Sequence, residues 1–163
     1  MMVGMRIATD LRYAASPTEV FAMLLDPAFR EAVMAAQHVV RSTITVSEQA
    51  GLTVVHLDQT QSTTKVPSFV RKLTGDEITV TQEERWTDPT HAEVTSSIPG
   101  APGTVQGTND LLADGAGTLM RVVREITVQV PLIGGKLATF VGSMHAKALE
   151  KEHATGQAWL SRQ

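Results

Sequence analysis

Apolar and polar positions alternate along most of this chain, and the alternation breaks in three stretches. Over residues 5–13, Met5, Ile7, Thr9, Leu11 and Tyr13 fall on one side, and Arg6, Ala8, Asp10 and Arg12 on the other. A period of two predicts a half-buried strand. Ser16-Pro17-Thr18-Glu19 then reads as a helix start. Ser16 suits the N-cap, Pro17 the first helical position, and Glu19 completes a capping box. Val20, Phe21, Leu24 and Leu25 carry helical spacing, and Asp26-Pro27 ends that helix and opens a second over residues 27–37.

Alternation resumes over residues 38–47 and 52–61, on either side of a hairpin-like Glu48-Gln49-Ala50-Gly51. It lapses over residues 62–75, where 67–73 predicts a short helix or a wide loop. Four more strands are predicted over residues 77–86, 91–98, 104–112 and 118–130. They are divided by Asp88-Pro89-Thr90, Pro99-Gly100-Ala101-Pro102-Gly103 and Asp114-Gly115-Ala116-Gly117. Beyond Pro131 the period becomes three and four, through Leu137, Phe140, Val141, Met144, Ala148 and Leu149. That predicts a helix over residues 136–160, about 38 Å long, with Gly142 and Gly156 weakening its interior. Trp159 and Leu160 are expected to anchor its end on the sheet. A strand, two short helices, about six further strands and one long helix make an α+β chain of about seven antiparallel strands.

Composition narrows the chemistry. The chain has 163 residues, a length that fits one domain, expected here over residues 5–162. No cysteine is present, which excludes disulfides, thiolate metal sites and cysteine nucleophiles. Lys and Arg number 14 against 17 Asp and Glu. A mildly acidic chain is a poor binder of polyphosphate, so nucleic acid is not expected. No apolar run approaches the length that spans a bilayer, so no stable membrane insertion is expected. The first residues, Met1-Met2-Val3-Gly4-Met5-Arg6, do not form a secretory signal. A cytoplasmic location is the expectation.

The order of elements resembles the helix-grip fold of the START and birch-pollen-allergen-like superfamily. Ser16-Pro17-Thr18-Glu19-Val20-Phe21 is similar to the first helix of polyketide-cyclase-like members. Glu83-Glu84-Arg85-Trp86, Val130-Pro131-Leu132-Ile133-Gly134-Gly135-Lys136 and Ala158-Trp159-Leu160 resemble an uncharacterised actinobacterial branch. The resemblance covers essentially the whole chain. It implies a curved antiparallel sheet wrapped around the long C-terminal helix, with an apolar cavity between them. It carries over no catalytic residue.

Alternation nominates the side chains that would face such a cavity. In residues 118–128 the even set (Thr118, Met120, Val122, Arg124, Ile126, Val128) is the more apolar and is taken as inward. The matching sets are Ile78, Val80, Gln82, Glu84 and Trp86, then Ala92, Val94, Ser96 and Ile98, then Val105, Gly107, Asn109 and Leu111. His38, Val40, Ser42, Ile44 and Val46 are the set before the first hairpin. Residues 52–61 stay ambiguous between Val54 with His56 and Val55 with Leu57. The candidate binding residues are therefore Gln82, Glu84, Ser96, Asn109, Met120 and Arg124 from the sheet, and Leu137, Phe140, Val141 and Met144 from the helix. Two charges on an inner face demand an account. Glu84 and Arg124 can reach solvent along their own stems, pair with each other, or leave Arg124 to meet a ligand carboxylate.

Other chemistry is thinly supported. Five histidines (His38, His56, His91, His145, His153) lack HExxH spacing, and Glu150 with His153 is one Glu-x-x-His where a di-iron bundle needs two. No metal or cofactor is expected. Ser143 sits inside a helix and lacks the Gly-x-Ser-x-Gly elbow. The leading expectation is a binding protein for a small apolar or amphipathic molecule, lipid- or polyketide-like. The rivals are a cyclase- or hydratase-like enzyme using a cavity carboxylate or histidine, and a protein–protein module with a closed interior. Oligomeric state is left open.

Overall fold

A computed structural model describes residues 2–162. Val3–Tyr13 forms strand β1, followed by helices Pro17–Leu25 (α1) and Pro27–Ala36 (α2). Strands Arg41–Gln49 (β2) and Leu52–Ser62 (β3) precede the short helix Ser68–Thr74 (α3). Strands Glu77–Asp88 (β4), His91–Ser97 (β5), Gly103–Asp114 (β6) and Gly117–Val128 (β7) lead to the long helix Gly134–Leu160 (α4). The seven strands make one antiparallel sheet in the order β1-β7-β6-β5-β4-β3-β2. The first strand thus lies beside the last, and every other neighbour follows by a hairpin or short connection. This is the helix-grip arrangement that the resemblance implied.

Local chemistry explains the elements. The Glu19 amide donates to Ser16 Oγ at 3.2 Å, and the Ala28 amide donates to Asp26 Oδ1 at 2.9 Å, so both short helices carry side-chain N-caps. Ala50 and Gly51 both take positive φ, 52° and 82°, in the two-residue turn between β2 and β3, as a tight hairpin requires.

Helix α4 packs on β1, β7 and α2, toward one edge of the sheet. Its two interior glycines face β1 where the approach is tightest. A Cβ at Gly142 would lie 3.0 Å from Met5 Sδ, and one at Gly156 would lie 2.8 Å from Tyr13 Cε1. The helix gives up some propensity there and gains contact with β1. Trp159 and Leu160, near the end of α4, pack against the core cluster that joins α1, α2 and the sheet. The Trp159 ring meets Phe29 of α2 edge-on, centroids 5.7 Å apart.

The predicted inner faces of β4, β5, β6 and β7 all point inward, with Trp86, Ala92, Val94, Leu111, Met120, Val122 and Ile126 fully buried. On β3 the odd set wins: Val55 and Leu57 join the core, and Val55 lies opposite Glu84. The expected strand over residues 38–47 is corrected. It begins only at Arg41, because the chain must first leave α2 through His38 at φ 58°. Val40 is consequently 53% exposed, while Ile44 and Val46 do pack on the core.

The buried apolar side chains fall into two clusters. One joins α1, α2 and the Trp86 end of the sheet; the other joins α3, the start of α4 and the ends of β4 and β7. Between them the interior is open and partly polar.

Candidate functional site

The open region is a cavity of about 350 Å³ between α4 and the concave face of the sheet. Its apolar walls include Val80, Ile98, Val105, Ile126, Phe140 and Val141. Val70 and Leu73 of α3 line it, and Phe69 of the same helix meets Phe140 of α4 edge-on with centroids 6.4 Å apart, so α3 packs on α4 beside the cavity. A second hollow of about 60 Å³ lies deeper, toward α2. Gln37, Gln59, Gln82, Arg124, His145 and Ala148 line both, so the large apolar chamber and the small polar one share a wall.

All ten side chains nominated from the sequence border one of these spaces. Gln82, Ser96, Arg124, Leu137, Phe140, Val141 and Met144 line the larger. Gln82, Glu84, Asn109, Met120 and Arg124 line the smaller.

The charges follow neither of the first two expectations. Glu84 and Arg124 are 2% and 3% exposed, so neither reaches solvent. Nor do they pair with each other. They stand on β4 and β7 with two strands between them, about 14 Å along the sheet at ordinary strand spacing. Glu84 instead meets a residue the sequence did not nominate. Arg30 of α2 donates from Nη2 to Glu84 Oε1 at 2.7 Å and from Nε to the Leu24 carbonyl at 2.8 Å. Gln82 Nε2 and Trp86 Nε1 also donate to the Glu84 carboxylate, at 3.0 and 3.2 Å. Glu152 of α4 approaches Arg30 Nη1 at 3.6 Å. Its side chain is 15% exposed, and burial pushes its carboxyl up, with Arg30 opposing that rise and Glu84 adding to it.

Arg124 is left without a carboxylate among the described residues. Its Nη1 donates to the Thr108 and Val123 carbonyls at 3.0 and 2.9 Å. Burial draws its guanidinium below the usual value, against the pull of Glu84 and Glu152. His145 lies nearby, where burial and then the charge of Arg124 pull its ring down to about 4. The imidazole is therefore neutral at pH 7. Three buried polar atoms on these walls, His145 Nε2, Gln59 Oε1 and Asn109 Oδ1, have no hydrogen-bond partner among the described residues.

Arg30, Glu152 and Gln59 were missed, although a signal existed for each. Arg30 shares an apolar helical face with Val33 and Met34, at three and four residues. Glu152 follows Leu149 by three and precedes Gly156 by four. A charge inside an apolar stripe marks a buried charge. Gln59 lies on the odd face of β3, which the pattern left ambiguous.

The family described as "Protein of unknown function (DUF2505)" matches residues 8–160. The chain belongs to this DUF2505 family. A curated relative, "Uncharacterized protein Rv0481c" of Mycobacterium tuberculosis, is 28% identical over 102 residues. That match spans 59% of this chain and 59% of the relative, less than two thirds of its length. Solved structures share the fold at low identity. The aromatase/cyclase ZhuI of a Streptomyces species superposes with a TM-score of 0.65 at 14% identity, covering 99% of this chain and 95% of that one. Norcoclaurine synthase of Thalictrum flavum, solved with dopamine and hydroxybenzaldehyde, gives 0.63 at 12% identity, covering 99% and 90%. At these identities the likeness establishes the helix-grip fold for this DUF2505 member, and nothing of its chemistry. None of its described helices is long and apolar enough to cross a membrane.

Proposed function

We propose that this protein binds and carries a small hydrophobic or amphipathic molecule in the space between α4 and the sheet, acting in the cytoplasm as one domain over residues 5–162. The observation that carries the reading is the chamber itself, about 350 Å³ with apolar walls and a few polar groups at one end. Ligand sites have this form. Burial of ligand surface there contributes about 25 cal/mol per Å² before ordering costs. The fold relatives support it by analogy, since one has been solved with two small aromatic molecules.

Catalysis by Glu84 is disfavoured on physical grounds. Its carboxyl oxygens already accept three hydrogen bonds, including one from a guanidinium, and are committed to that network. An interaction module with a filled interior does not fit a chamber of this size.

Native mass spectrometry of protein purified from its host tests the reading, together with titration of the neutral fluorophore N-phenyl-1-naphthylamine. A copurifying mass, or saturable dye binding that Val105→Trp abolishes, is expected. If no mass is added and no apolar probe binds, the reading fails.

A further inference from the structure

The two buried guanidinium groups are treated unequally. Arg30 takes both neighbouring carboxylates, Glu84 at 2.7 Å and Glu152 at 3.6 Å. Arg124, equally buried, holds only two backbone carbonyls, and both bonds use one nitrogen, Nη1. Guanidinium has five N–H donors in a planar fork. Nε and Nη2 of Arg124, one edge of that fork, have no partner among the described residues, and the side chain lines both parts of the cavity. A buried charge left in this state is costly unless something completes its hydrogen bonds. Around it stand further groups able to bond a polar head: His145 Nε2 and the amides of Gln59 and Gln82.

The sheet holds Arg124 in place. Its register partners are Ile7 on β1 and Gly107 on β6. At Gly107 a Cβ would come within 1.7 Å of the Val123 carbonyl, so only glycine admits this close crossing of β6 and β7. The Thr108 carbonyl from β6 and the carbonyl of the preceding Val123 both accept from Nη1, which fixes the direction of the fork. The guanidinium has already lost contact with bulk water in folding, so an arriving anion meets a fork that is largely desolvated and held in place.

We propose that the inner end of the cavity is a carboxylate subsite, with Arg124 gripping the head of an amphipathic organic acid through Nε and Nη2. The amide nitrogen of Gln59, the second amide hydrogen of Gln82 and an Nε2–H of His145 donate to the remaining oxygen lone pairs. The apolar body lies outward, between the valine and isoleucine walls and the Phe140 ring. This assignment rests on the cavity-binding reading and names its substrate class: a fatty or aromatic acid rather than a neutral lipid, alcohol or aldehyde.

Competition against bound N-phenyl-1-naphthylamine tests it, using dodecanoate and dodecanol at pH 8 below their aggregation limits. A charge-assisted fork is worth enough for the acid to displace dye about 10- to 100-fold better than the alcohol on the unaltered protein. Arg124→Gln should abolish that preference while keeping the affinity for dodecanol, and Arg124→Lys should retain only part of it. Equal displacement by acid and alcohol on the unaltered protein overturns the subsite whether or not the variants fold. A preference that survives in folded Arg124→Gln overturns the assignment to Arg124. If the dye itself does not bind, the failure lies with the cavity reading; if it binds and acid and alcohol compete equally, only the carboxylate subsite falls.

Discussion

Replacing Glu84 with leucine removes one carboxylate and strands three donors. Arg30 Nη2, Gln82 Nε2 and Trp86 Nε1 all point at it, from 2.7, 3.0 and 3.2 Å. Side chains at both ends of the pair are 3% exposed or less, so bulk water does not reach the stranded groups. Breaking a pair this deeply buried costs about 3–5 kcal/mol, most of it from the charge left behind. Arg30→Met exposes the same cost from the other side and also removes the donor to the Leu24 carbonyl. For a domain of this length each kcal/mol is about 2–4 °C, so either single variant should melt ~6–20 °C lower. The double variant, Arg30→Met with Glu84→Leu, leaves no unpaired charge between the two positions. It should cost less than the sum of the singles by at least ~2 kcal/mol. Urea unfolding followed by circular dichroism measures all three without relying on Trp86 fluorescence. Additivity within ~0.5 kcal/mol would refute the coupling, and would mean that Glu152 replaces Glu84 as the partner of Arg30.

Three other perturbations test different links. His145, pulled down to about 4 by burial and Arg124, should contribute stability that is complete above the unfolded value near 6.5 and lost as pH falls toward 4. The loss is about 3 kcal/mol, and His145→Gln should flatten the pH–stability curve over that window; an unchanged curve sinks the assignment. Gly156→Ala drives a Cβ against the buried Tyr13 ring and should destabilise by ~1–2 kcal/mol despite better helix propensity, whereas Gly142→Ala meets the pliable end of Met5 and should be neutral or slightly stabilising. Equal urea midpoints for the two variants would contradict the packing described. Ser16→Ala should cost about 1 kcal/mol through loss of the α1 cap, read as a lower midpoint with an unchanged slope.

Alternation made the inner face of the sheet legible because a strand repeats every two residues and one face is buried. Thr118, Met120, Val122, Arg124, Ile126 and Val128 follow from that rule alone, and all six are buried. The cap at Ser16 was equally local. The partner of Glu84 was not, because it comes from α2, 54 residues earlier in the chain. Period and propensity say which way a side chain points; they do not say which helix arrives above it. The strand after α2 was placed too early for a related reason. His38 and Val40 continue the β pattern, yet they are consumed in turning the chain out of the helix. Gly142 and Gly156 read as weak points in α4 until the approach of β1 gave them a use.

The cavity has a cause in how few large side chains the chain has and where they sit. Only seven aromatic residues are present. Tyr13, Phe29 and Trp86 are buried at the α1–α2 end, and Phe21 and Trp159 pack against them. Phe69 and Phe140 stand together between α3 and α4. None is left for the middle of the sheet, where Val80, Gln82, Ser96, Val105 and Arg124 face α4. Valine and serine are too short to bridge to a helix that packs toward β1 and β7. An empty apolar void of about 350 Å³ would cost about 8 kcal/mol at the rate measured for sealed cavities. That is comparable with the whole stability of a typical domain. The cavity is not sealed, so water or a ligand relieves part of this. The same spacing that keeps the middle open brings Arg124 to its inner end, so apolar room and the unpaired charge have one structural origin.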